Sequence, residues 1–167
     1  GIRGGGEQGR FSVSGNFDQS RGFDACAGRG FPYFDGCGAD EPDADGWRSQ
    51  GVSASAGYDV SERISVDATF LRAEANVDYD GAFQNEARNV QQVAGLSMRL
   101  RPLDAWDVKL SAGRSWDEQE NLLNGAFVSR FDTRRDSLGL QNDIAVGGDQ
   151  LFTLGLDYLR DVVAGDV

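Results

Sequence analysis

The sequence predicts an all-β chain: an antiparallel up-and-down meander of about seven long strands, part of a transmembrane β-barrel. Three observations carry this expectation. Helical periodicity is poor almost everywhere, whereas apolar and polar residues alternate with period two in run after run. The runs are near ten residues each, where ordinary strands average about 5–6. The connections alternate between tight polar turns and long loops.

The strands follow in order. "RFSVSGNFDQS" sets Phe11, Val13, Gly15 and Phe17 against Ser12, Ser14, Asn16 and Asp18. "GVSASAGYDV" sets Val52, Ala54, Ala56 and Tyr58 against Ser53, Ser55, Gly57 and Asp59. "RISVDATFLRAEA" sets Ile64, Val66, Ala68 and Phe70 against Ser65, Asp67, Thr69 and Leu71. "VQQVAGLSMRLR" aligns Ala94, Leu96, Met98 and Leu100, and "WDVKLSAGRSW" aligns Trp106, Val108, Leu110 and Ala112. "SLGLQNDIAV" places Leu138, Leu140, Ile144 and Val146 on one face with Asn142 as an exception. "LFTLGLDYLR" aligns Phe152, Leu154, Leu156 and Tyr158.

"DVSER", "RPLDAW" and "VGGDQ" read as tight turns. Long loops are expected near 20–47, 78–89 and 117–135, within one domain spanning 1–167. In a meander, alternate connections share one end. The long loops therefore gather at one rim and the short turns at the other, as in outer-membrane barrels. The second face is small and polar, which suits a wet lumen, so the apolar face is expected to meet lipid. Trp47, Tyr58, Trp106, Trp116 and Tyr158 fall near strand ends, where aromatic girdles sit. A soluble, secreted β-barrel module that binds a small apolar ligand has the same alternation with inside and outside exchanged, and it stays open as the alternative.

Composition narrows the function. The chain has 16 basic and 27 acidic residues, a net charge of -11, which argues against nucleic acid or an anionic membrane surface as a partner. There is no histidine, so no Ser-His-Asp or Cys-His arrangement exists, and no convergent nucleophile, acid and base is evident. An enzyme is not expected. No run of about 18 apolar residues offers a transmembrane helix. The sequence opens at Gly1 without a start methionine, which reads as a mature chain or a piece of a longer one. The opening "RGGGEQG" lacks a Walker lysine in register, so it does not cradle phosphate.

Cys26 and Cys37 are the sole cysteines, and both lie in "ACAGRGFPYFDGC". Two cysteines closing a short polar loop suggest a disulfide and an oxidising compartment. Inside that loop Phe31, Tyr33 and Phe34 form an aromatic cluster on a glycine-rich mount. It suits contact with a bulky, partly apolar ligand, or packing on its own loop. Arg130 and "TRRDS" make a small basic patch that could meet a phosphate or a surface glycolipid, though pairing with Asp132 and Asp136 is the plainer expectation.

"ADEPDADGWRS" concentrates Asp40, Glu41, Asp43 and Asp45 just before a strand. Calcium takes six to eight oxygens, many from carboxylates of a flexible loop. Glu41, Asp43, Asp45 and Gly46 fall at positions 1, 3, 5 and 6 of an EF-hand-like spacing, but position 12 is Val52 and no helices flank it. It is therefore not an EF-hand, and both readings remain: acids sharing one ion, or a solvated turn of ordinary turn-forming aspartates.

The strand-and-loop order resembles part of the barrel of TonB-dependent outer-membrane receptors, and among them the vitamin B12 (cobalamin) transporter family. The residues that carry the resemblance are "GRFSVSGNFDQSRGFDA", "DADGW", the hairpin "SQGVSASAGYDVSERISVDATFLRAE", "VDYDGAF", "LSMRLRPLDAWDVKLSAGRSWDEQ" and "QNDIAVGGDQLFTLGLDYLRD". The resemblance implies a bacterial outer-membrane location and noncovalent capture of cobalamin or a similar large nutrient. It implies that calcium is held by two neighbouring loops, with Asp24, Asp43 and Asp45 from the first and Asp78 and Asp80 from the second. Tyr79 and Asn85 are lesser candidates. Such receptors have about 22 strands, a plug, and an energy-coupling partner, the TonB protein, reached through the plug region. The chain shows none of the plug features and is expected to be an internal barrel segment.

Overall fold

The computed structural model describes residues 1–24, 26 and 41–167. These residues form one eight-stranded antiparallel sheet in sequential order, β1 to β8, and no helix is present among them. The strands are β1 (Ile2–Gly5), β2 (Gly9–Ser20), β3 (Trp47–Ser61), β4 (Ile64–Asp78), β5 (Glu86–Leu103), β6 (Trp106–Leu123), β7 (Ala126–Val146) and β8 (Gln150–Asp166). β1 and β8 do not pair, so the sheet is open and compatible with a segment of a barrel.

Three differences from the sequence expectation stand out. β1 adds an eighth strand from the glycine-rich opening, with Gly4 opposite Phe11. The third long loop, expected near 117–135, is instead a continuous hairpin: β6 runs to Leu123, β7 starts at Ala126, and Asn124 (φ 50°) and Gly125 (φ 77°) make the turn. Positive φ at both central residues is the requirement of a tight type I′ hairpin turn. Ion pairs hold this polar stretch in the sheet. Arg130 meets Asp132 at 2.9 Å and Glu118 at 3.2 Å, and Arg135 meets Asp161 at 2.7 Å. The second loop is also shorter than expected, occupying residues 79–85 between β4 and β5. The first loop, between Ser20 and Trp47, matches its expected bounds.

The expected tight turns are tight. Ser61 pairs with Ile64, Leu103 with Trp106 and Val146 with Gln150. Those turns lie at one rim, and the described segments 21–24 and 41–46 and the 79–85 loop lie at the other, beside the Asn124–Gly125 turn.

Cross-strand register separates two faces. One residue row reads Phe11, Ala56, Ala68, Leu96, Ala112, Leu138, Tyr158. The neighbouring row on the other face reads Ser12, Ser55, Thr69, Gly95, Gly113, Ser137 before Leu159 ends it. On the polar face Ser12 and Ser55 hydroxyls lie 2.8 Å apart, as do those of Ser14 and Ser53 at 2.7 Å. Arg10 crosses over buried Gly57 to reach Asp67 on the second strand beyond. A Cβ at Gly57 would stand 2.6 Å from the guanidinium carbon, so glycine is what lets the pair form.

The apolar face is uncovered: Leu96 is 53 % exposed, Leu138 56 % and Leu156 70 %. A single sheet has no second layer to bury such a face. The apolar band also drifts across the strands. On β2 it runs upward from the Phe11 row to Phe17, and on β8 it runs downward from the same row to Phe152. That is about one residue per strand. With a rise of about 3.4 Å per residue and about 4.8 Å between strands, the band lies about 35° off perpendicular to the strands. Strands of closed barrels tilt by about 35–45° against the axis. Four apolar-face positions cover six residue steps, about 20 Å of strand and about 17 Å along such an axis, shorter than the apolar band of about 25 Å of membrane barrels.

Among the described residues the buried apolar side chains are Cys26, Ala87 and Leu122, with Asn85 as the buried polar one. Ala87 and Leu122 lie at the upper ends of β5 and β6, and Asn85 closes the 79–85 loop beside them. What core the sheet has sits under the loops, at the long-loop rim.

Candidate metal centre

The rim loops are built on local backbone rules. Gly22 adopts φ 65°, and a Cβ there would fall 1.9 Å from the Asp45 carbonyl oxygen, so only glycine lets the strand exit pass this close. The amide of Asp45 then donates to the Phe23 carbonyl at 3.2 Å, and the Asp78 amide donates to Gly46 at 2.8 Å. These bonds lay the "DADG" segment against the top of β4. Asp24 caps its own turn, accepting from the Cys26 amide at 3.2 Å. Cys26 is buried and disulfide-bonded.

The second loop is clasped by Asn85. Its amide group donates to Glu41 Oε1 at 2.8 Å and to Asn124 Oδ1 at 3.0 Å, while its own Oδ1 accepts from the Asn124 amide at 2.8 Å. Its backbone carbonyl accepts from Tyr79 at 2.9 Å, and its backbone amide donates to Leu122 at 2.9 Å. Glu41 also accepts from the Gly81 amide at 3.3 Å. Asn85, a lesser metal candidate on sequence, thus spends its side chain joining both loops to the β6–β7 turn. Glu41, read at first as a possible ligand in the acidic run, is the other half of that clasp.

The clasp sets Asp80 facing "DADG". One carboxylate oxygen each from Asp43, Asp45 and Asp80 lies within 4.8 Å of the other two. Asp43 is exposed, and Asp45 and Asp80 are half-buried. Both carboxylate oxygens of Asp80 are buried without a hydrogen-bond partner. An unpaired carboxylate removed from water costs several kcal/mol, and Asp80 answers by holding its proton more tightly than usual. Burial raises its pKa most, and Asp45, Asp24, Asp43 and Glu41 add to the shift. Asp78 is raised as well, first by burial, then by Glu86, Asp43 and Asp45.

Of the five aspartates proposed from sequence, three therefore converge. Asp24 and Asp78 border the group closely enough to act on it electrostatically. Tyr79 is held by its backbone at the loop base. Phe31, Tyr33, Phe34 and Cys37 lie outside the described residues.

The chemistry of the donor set is uniform: carboxylate oxygens, hard and anionic, from two loops. A hard divalent cation fits it, and calcium fits best because it accepts many oxygens in irregular geometry. Such an ion would satisfy the orphaned Asp80 oxygens and cancel the repulsion. No protein-family model matches the chain, and no curated protein matches it either.

Proposed function

We propose that the chain is barrel wall and rim of a TonB-dependent outer-membrane transporter that captures cobalamin or a related corrinoid, with calcium ordering its long loops. The observation that carries this reading is the juxtaposition of Asp43 and Asp45 with the orphaned carboxylate of Asp80, at the loop rim of a sheet whose apolar band is uncovered. The band's exposure and drift support the membrane reading, because lipid is what would bury it. The alternation alone would serve a soluble barrel equally well. The polar rows that continue from the band's upper edge to the loop rim suit a wall that rises out of a bilayer.

In this reading like charge strains the metal-free rim, and the tighter proton binding of Asp80 relieves part of that repulsion. Asp43, Asp45 and Asp80 would hold calcium, which would neutralise their mutual repulsion and tie the 41–46 and 79–85 segments into one surface. Ordering the loops in advance lowers the entropic cost of ligand capture. Transport itself belongs to the plug and to the energy-coupling TonB partner. We assign no enzymatic step to any residue here.

The test is the double variant Asp43→Ala with Asp45→Ala in the full receptor, measured for calcium by calorimetry and for cobalamin by equilibrium binding. Loss of both affinities supports the reading. Calcium and cobalamin affinities both unchanged would reject it.

A further inference from the structure

We propose that the arginines along the upper edge of the apolar band form a docking site for the phosphate of membrane-lipid headgroups, centred on Arg134 and Arg160. The inference rests on the membrane reading above, and on residues that reading does not use. On the apolar face, the first residue above the band is Arg72 after Phe70 on β4, Arg114 after Ala112 on β6, and Arg160 after Tyr158 on β8. On β7 the order is Asp136, then Arg134. This is the level at which a lipid's headgroup would lie.

Two of the four arginines are occupied. Arg72 is held by Glu74 at 2.6 Å and Gln92 at 3.1 Å. Arg114 is hydrogen-bonded to Asp136 and sits 5.6 Å from the Trp116 ring centroid. Arg134 and Arg160 are not satisfied in this way. Arg134 comes no nearer than 3.9 Å to Asp136, and its Nε is buried with no acceptor. Arg160 stands across the ladder from Asp136 and feels its charge, but makes no ion pair among the described residues. One carboxylate, already bonded to Arg114, thus faces three guanidinium groups.

Geometry suits a shared anion. Arg134 lies opposite Val162, two residues from Arg160, so the two arginines are diagonal neighbours on adjacent strands. Diagonal neighbours stand about 7–8 Å apart, a span that two long side chains close around one phosphate. The guanidinium fork matches phosphate oxygens. Trp116, opposite Arg134, adds an aromatic of the kind found at membrane interfaces.

The test uses the full chain purified in a neutral maltoside detergent, with dioleoyl phosphatidic acid, dioleoyl phosphatidylcholine and sodium phosphate as probes, read by native mass spectrometry. Phosphatidic acid is expected to bind at least about tenfold tighter than phosphatidylcholine, as charge-assisted contacts to an exposed phosphate require. Arg134→Gln with Arg160→Gln should remove that preference, and Arg134→Lys with Arg160→Lys should retain most of it. Arg130→Gln with Arg135→Gln, whose guanidinium groups are paired elsewhere, should change it less than about twofold. Equal binding of the two lipids, or equal loss in the Arg130/Arg135 control, overturns the site. Competition by sodium phosphate as strong as by the lipid overturns the lipid assignment. Liposome insertion of the same sample separates the two claims. Insertion without headgroup preference overturns the site alone, and failure to insert overturns the membrane reading and the site together.

Discussion

Replacing Asp80 with asparagine should move two properties in opposite directions. The substitution keeps the side chain's size and removes its charge. Without calcium, the wild-type loop holds Asp80 within 4.8 Å of two other carboxylates. Two unit charges at that separation repel by about 3.5 kcal/mol in an effective dielectric of about 20. Asp43 faces water and salt screens it, and Asp80 binds its proton more tightly than an ordinary carboxylate, so we set the net relief near 1 kcal/mol. That is about a fivefold fall in the open population of the 79–85 loop, read as slower cleavage by a protease in a chelator, since cleavage tracks the open fraction. With calcium, the same change removes an anionic ligand whose oxygens have no other partner. Losing one buried charged partner costs about 2 kcal/mol or more, so calcium should bind at least about thirtyfold more weakly. Faster cleavage of the variant in chelator would refute the reasoning, because it would make Asp80 a stabilising member of the loop rather than an orphan awaiting an ion.

Three further outcomes follow from the same rim. Asp78 and Asp80 have folded-state pKa values raised above the ordinary 3.8, so protonation stabilises the metal-free loop at low pH and that contribution is lost as pH rises through the raised values. Calcium needs the deprotonated form, and its affinity, measured by calorimetry between about pH 4 and pH 7, should rise across that window; a flat profile would contradict the assignment. Asn85→Ala removes the clasp between Glu41 and Asn124 and should cost about 2–3 kcal/mol locally, seen as faster hydrogen exchange at the Tyr79 amide. Gly22→Ala should weaken calcium binding though Gly22 is no ligand, because its Cβ would push the Asp45 backbone away; unchanged affinity would mean that Asp45 is not a ligand.

The sheet was largely legible because one physical cause, a face that is apolar and a face that is not, writes period two into the sequence. It failed where that cause is absent. "IRGG" pairs through its backbone and offers no alternation. Residues 117–135 are charged on both faces, and pairs such as Arg130–Glu118 and Arg135–Asp161 replace hydrophobic contrast there. The missed signal was present: "NLLNGAF" carries the Asn-Gly turn that closes the hairpin. Asn142, an exception on the apolar face, accepts the Trp106 indole N–H at 3.2 Å. At the site, acid clustering in "DADG" and "DYD" pointed to the aspartates. The distinction between Asp80, which is left without partners, and Glu41, which is fully used by Gly81 and Asn85, depends on tertiary hydrogen bonds that no spacing encodes.

The central claim is that the apolar band faces lipid. Spin labels at Val66, in the band, and at Ser65, on the polar face, test it in the reconstituted chain. The account predicts that Val66 is relaxed by oxygen, which concentrates in the bilayer, while Ser65 responds to a water-soluble nickel complex. A Val66 label shielded from both reagents would place the band inside a soluble barrel and contradict the account.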